Sequence, residues 1–65
     1  MALKISLAAA RVNAGMTQAE AAEKIGVSPS SLKFWETGRR DISGKNLVKL
    51  SEVYNIPIEN LKIFL

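Results

Sequence analysis

The chain has no cysteine and no histidine, and Asp41 is its only aspartate. Those absences remove most of the side chains from which enzymes build nucleophile-and-base pairs, and they leave the serines without a base partner. They also remove the usual ligand sets for zinc and other transition metals. Neither catalysis nor a metal or other cofactor is therefore expected. Without cysteine no disulfide is available, which suits a reducing, cytoplasmic setting. No apolar run approaches the roughly 18 residues of a membrane span. The opening MALKISLAAAR stretch is cut off by Arg11 before it reaches signal-peptide length. The glycines are spaced as helix stops, not as a phosphate-cradling loop, and no small-molecule site is evident.

What is present is the composition of a folded globule: 65 residues, 48% hydrophobic and 23% charged. A chain of this size forms one domain, 1–65, hides only about 60% of the surface its unfolded form exposes, and has no room for a deep cleft. The formal charge is +3, and its placement says more than its size. Lys33, Arg39, Arg40, Lys45 and Lys49 stand against Glu36 and Asp41 in one window. Elsewhere Lys4, Arg11, Lys24 and Lys62 balance Glu20, Glu23, Glu52 and Glu59. All the net charge falls between Lys33 and Lys49, the pattern of an anion-facing patch.

Local signals divide the chain into helices. Leu3, Leu7, Ala10 and Ala14 recur at helical spacing, with Ile5 and Val12 near the same face, so a first helix is expected from about residue 3 to Ala14, stopping at Gly15. Thr17 and Glu20 fit a capping box that starts a second helix at Gln18, and Gly26 stops it after Ile25. Ser28 followed by Pro29 is an N-cap with proline at the first helical position. The third helix is expected over Pro29–Thr37, with Leu32 and Trp35 inward and Gly38 as its stop. Ser43 caps a fourth, Gly44 to Tyr54, burying Leu47, Leu50 and Tyr54, with Asn55 in the left-handed position. Pro57 opens a short fifth helix carrying Ile58 and Leu61. No segment alternates as a strand over a useful length; VYNIPI is the one candidate, and its proline demotes it. The fold expected is all-α, five helices in a compact bundle.

The stretch Thr17 to Gly38, TQAEAAEKIGVSPSSLKFWETG, is the most informative. Two short helices joined this tightly are most often a helix-turn-helix, in which the second helix enters the major groove of DNA, so DNA reading is expected. Together with Arg11 ahead of GMTQ, the WETGRR turn and the distal LVKLSEVYNIPIENL segment, it resembles the phage-repressor and Cro-like helix-turn-helix family, the xenobiotic-response-element type, over Leu7 to Leu61. That resemblance implies a lambda-repressor-like bundle and a sequence-specific transcriptional regulator, most often a repressor. It also implies a weak homodimer on an inverted-repeat operator of double-stranded DNA, with recognition helices about 34 Å apart.

The resemblance also assigns positions. Gln18 matches a glutamine that contacts a DNA phosphate at a helix N-terminus. Pro29, Ser30, Lys33 and Phe34 match exposed positions of the third helix that face base edges. Arg39, Arg40, Ser43 and Lys45 match backbone contacts, and Arg11 and Glu36 match a partly buried salt bridge. Chemically, Lys33 suits guanine O6 or N7, Ser30 several bases, and Phe34 a thymine methyl. Each residue also has a plainer reading: Lys33 as a solvated lysine, Ser30 as part of a helix start, Phe34 as a packing residue, Gln18 as a good helix former, and Arg39 and Arg40 as partners of exposed carbonyls. Trp35, one turn from Leu32, reads as core. Ala21 stands where relatives usually carry leucine, Ile42 replaces a common proline, and Pro29 and Phe34 replace polar readers. The polar reading set is thin, so DNA shape and phosphate contacts are expected to carry part of the specificity. The competing reading is a helical protein-interaction module, such as an antitoxin or regulator partner, gripping through Phe34 and the tail Ile63-Phe64-Leu65.

Overall fold

The four α-helices among the described residues start and stop by the same two devices. In the computed structural model, which describes residues 4–63, α1 spans Leu7–Asn13, α2 Gln18–Ile25, α3 Pro29–Thr37 and α4 Gly44–Val53. The N-caps are Ser6, Thr17, Ser28 and Ser43, each with its side-chain oxygen accepting the N3 amide of its own helix. The capping box is complete: Glu20 N–H donates to Thr17 Oγ1 at 3.1 Å, and Thr17 N–H donates to Glu20 Oε1 at 2.8 Å. The bond from the Thr17 backbone N–H, with the Thr17 side chain second, holds the Glu20 carboxyl below its ordinary pKa. At the other ends Gly15, Gly26, Gly38 and Asn55 take positive φ. The residue after each returns its amide to a carbonyl five positions back: Met16 to Arg11, Val27 to Ala22, Arg39 to Phe34 and Ile56 to Ser51.

Four expectations require correction. The first helix begins at Leu7, not near residue 3, because Ile5–Ser6 forms a short strand, β1, that pairs in parallel with β2, Leu61–Lys62, in the register Ile5↔Leu61. Leu3 lies outside the described residues. Ser6 both ends the strand and caps the helix, its Oγ accepting Ala9 N–H at 3.0 Å. The fifth helix reduces to a three-residue 3-10 turn, Ile58–Asn60, preceded by Pro57, so four α-helices are present among the described residues instead of five. Leu61 is drawn into β2 and buried, while Ile58 stays exposed. The short strands fall at the two ends of the chain, away from VYNIPI, and the fourth helix ends one residue early, at Val53.

The helices pack so that α2 touches both α3 and α4, and α1 rests on α3. Ala21, Ala22, Leu32 and Leu50 have no measurable exposure, with Leu7, Ala10, Ile25, Tyr54 and Leu61 around them. Ala21 at the centre lets α2 sit close to its neighbours, and the half-buried Trp35 packs onto the same cluster. That packing fixes the α2–α3 angle across the three-residue connection Gly26–Ser28.

Candidate nucleic-acid interface

The site is built on α3 and on the segment that leads from it into α4. Pro29, Ser30 and Lys33 are exposed along α3, on positions one turn apart. Phe34 differs from them: it is half-buried, and the Arg40 guanidinium lies over its ring at 5.1 Å from the centroid. Past Gly38, the side chains of Arg39, Arg40, Ser43 and Lys45 are all exposed. Ser43 uses its oxygen to accept Asn46 N–H at 3.2 Å, which leaves its own O–H free to donate.

A buried polar node anchors this surface to the rest of the fold. Arg11 Nε donates to Glu36 Oε2 at 2.8 Å, with side-chain exposures of 15% and 4%. Arg11 Nη2 reaches Glu36 Oε1 at 3.4 Å, and Nη1 donates to the Met16 carbonyl at 2.9 Å. The Glu36 hydrogen bond raises the Arg11 pKa above its ordinary value. Gln18 joins the same node, its Nε2 donating to Glu36 Oε1 at 2.9 Å. One amide hydrogen of Gln18 is engaged there, and the second remains available at the positive end of α2. One carboxylate thus ties α1, α2 and α3 together and sets the direction of the Gln18 side chain.

Charge is sorted by this arrangement. Glu36 is buried and paired, so it does not oppose the cations beside it. Lys49 is half-buried, and its Nζ donates to the Ile25 carbonyl at 3.4 Å, at the negative end of α2. Lys33, Arg39, Arg40 and Lys45 remain exposed against Asp41 alone, which leaves three net positive charges exposed in the segment from Lys33 to Lys45. The sequence placed Lys49 in the same basic window; only the fold shows that it faces a helix end. Among the described residues no group of side chains could hold a metal ion, and no helix is long and apolar enough to cross a membrane. Of the residues assigned to a protein-binding surface, Phe34 lies under Arg40, Ile63 packs against the core, and Phe64 and Leu65 lie outside the described residues.

The helix-turn-helix family profile matches residues 7–61, which includes all four α-helices and the 3-10 turn. The chain belongs to the Cro/C1-type helix-turn-helix family. It is similar to the HTH-type transcriptional regulator ImmR of Bacillus subtilis (strain 168), at 41% identity over 61 residues. That match covers 94% of this chain and 48% of the relative, so the chain spans about half of ImmR's length. An uncharacterized HTH-type transcriptional regulator of Archaeoglobus fulgidus is 41% identical over 54 residues, 83% of this chain and 77% of that protein. A second from the same organism is 37% identical over the same length. No solved structure matches the chain.

Proposed function

We propose that this helix-turn-helix domain acts as a DNA-binding transcriptional regulator of the repressor type. In this reading α3 enters the major groove with Pro29, Ser30 and Lys33 against base edges. Gln18 at the start of α2 and Arg39, Arg40, Ser43 and Lys45 beyond α3 hold phosphates on either side, which fixes register before any base is read. The observation that carries the reading is the sorting of charge. The carboxylate on α3 is buried and neutralised by Arg11, while four cations stay exposed around that helix. A mainly structural domain gains nothing from leaving those cations unpaired together, whereas a phosphate backbone matches them. Two copies on an inverted repeat would set their α3 helices about 34 Å apart.

Selection of binding sites from randomised duplex DNA, followed by titration at several salt concentrations, tests this directly. Arg39, Arg40 and Lys45 as phosphate contacts predict a slope of log K against log salt of roughly −2.7 per subunit. For a dimer, affinity then falls on the order of a thousandfold between 50 and 200 mM salt, both concentrations being approximate settings of the assay. A selected palindrome supports the dimer and a single half-site supports a monomer. Binding indifferent to salt, or no enrichment of any duplex, refutes the reading.

A further inference from the structure

We infer that Phe34 is a positioning residue for Arg40 and not a reader of bases, the two forming one phosphate-gripping unit at the C-terminal end of α3; this rests on the DNA-binding reading above. The main chain and the side chains both support the pairing. Gly38 takes φ 78 and turns the chain back, so the Arg39 and Arg40 amides both donate to the Phe34 carbonyl, at 2.9 and 3.3 Å. Residue 40 is thereby returned over the turn of helix that carries residue 34, and its guanidinium settles 5.1 Å from the Phe34 centroid. That is inside the roughly 6 Å range of a cation–π contact.

The contact holds the guanidinium without occupying its donors. Stacking uses the face of the group, whereas its N–H bonds lie in the plane and point outward from the edge. Neither Arg39 nor Arg40 pairs with a carboxylate among the described residues, where the ion pair is Arg11 with Glu36. Both arginines keep their charge and their edges for an anion. A shallow depression of about 220 Å³ lined by Phe34, Arg39 and Arg40 lies at this point, open to solvent and able to admit a phosphodiester oxygen. A free arginine loses much of its rotamer freedom when it grips a phosphate; one already resting on a ring has less to lose.

The same geometry removes Phe34 from the base-reading set. Its ring is half-buried and covered on one side, while Pro29, Ser30 and Lys33 are open. Specificity by direct contact then rests on those three residues.

A mutant cycle on a duplex selected with the parent protein tests the inference. The usual strength of an exposed cation–π contact corresponds to about a two- to fivefold change in affinity. Phe34→Leu is expected to weaken binding by that factor for every duplex alike, with no change in base preference. Phe34→Tyr, which keeps the ring, is expected to match the parent. Phe34→Leu should have no further effect in an Arg40→Ala background, because the partner is already gone. Additive losses in the cycle overturn the inference. So does a Phe34→Leu protein whose preference changes at one base pair, the result a thymine-methyl contact would give. The stack itself is read without DNA, as a ring-current displacement of the Arg40 side-chain protons that Phe34→Leu abolishes and Phe34→Tyr retains. A parent that shows the displacement but binds no duplex overturns the DNA-binding reading and the phosphate role with it. A parent that binds with salt dependence but gives an additive cycle overturns this inference alone.

Discussion

Arg11→Met should cost this domain about 3 kcal/mol, and the figure follows from what the change leaves behind. The guanidinium makes three hydrogen bonds, two to Glu36 and one to the Met16 carbonyl. Without it, a carboxylate with 4% side-chain exposure keeps only the Gln18 amide at 2.9 Å. Removing one partner of a buried pair costs roughly 3–5 kcal/mol, because the other charge is stranded. The lower end applies here, since Arg11 is 15% exposed and Gln18 still serves one oxygen. A domain of this length has a total stability of only about 3–10 kcal/mol. At about 4–8 °C per kcal/mol, the melting temperature followed by circular dichroism should fall roughly 12–24 °C. The double variant Arg11→Met/Glu36→Met strands no charge and should recover most of that loss. A single variant that melts within about 3 °C of the parent would refute the reasoning. A double variant no better than the single would show that lost packing, not the stranded carboxylate, sets the cost.

Three further outcomes are expected. Tyr54 is buried, its hydroxyl has no hydrogen-bond partner among the described residues, and burial first and the Glu36 charge second push its pKa up to about 12. The folded value lies above the unfolded one near 10, so the neutral phenol stabilises the fold below about pH 10, and roughly 2–3 kcal/mol is lost as pH rises from there to about 12. Urea titrations should show that loss in the parent and its absence in Tyr54→Phe, which at neutral pH should be as stable as the parent or slightly more so; an equal alkaline loss in both would contradict this. In DNA titrations Lys49→Ala should leave the salt slope unchanged, while Lys45→Ala lowers it by about 0.9 per subunit; equal effects would mean that Lys49 leaves the Ile25 carbonyl for a phosphate. Gly26→Ala meets nothing within 4 Å of the new Cβ, yet φ is 76. Its cost of about 1–2 kcal/mol in urea denaturation should therefore come from the backbone alone, and no measurable cost would count against that origin.

The parts of this fold that sequence reveals are those decided within five residues. Thr17 with Glu20, Ser28 with Pro29, and Gly26 and Gly38 each act on their own helix end, so α2 and α3 fall where the residues place them. The start of α1 was not legible in the same way. Leu3 and Ile5 continue the apolar spacing of a helix, and Ser6 carries no glutamate three positions on to complete a capping box. What ends the helix there is the pairing of Ile5 with Leu61, a contact between opposite ends of the chain that no local pattern announces. The short last helix failed for the same reason, since Leu61 is recruited into that pairing after only one 3-10 turn. In the site, residue types pointed to a basic surface and a buried ion pair. They did not reveal which cations are engaged internally: Lys49 reaches a carbonyl 24 positions away, and Gln18 reaches Glu36 18 positions away. The contact of Arg40 with the Phe34 ring depends on the chain folding back past Gly38, which a helical wheel does not represent.

The pairing of β1 with β2 also decides how the domain carries mechanical load. Because the strands run in the same direction, the chain enters at Ile5 and leaves beyond Lys62 from opposite ends of one short ladder. Tension applied across those two points shears the pairing as a block instead of peeling it apart, and it passes from one strand to the other without running through α2 and α3. The helix pair that presents the basic surface is thereby shielded from a pull at either strand until the ladder gives way.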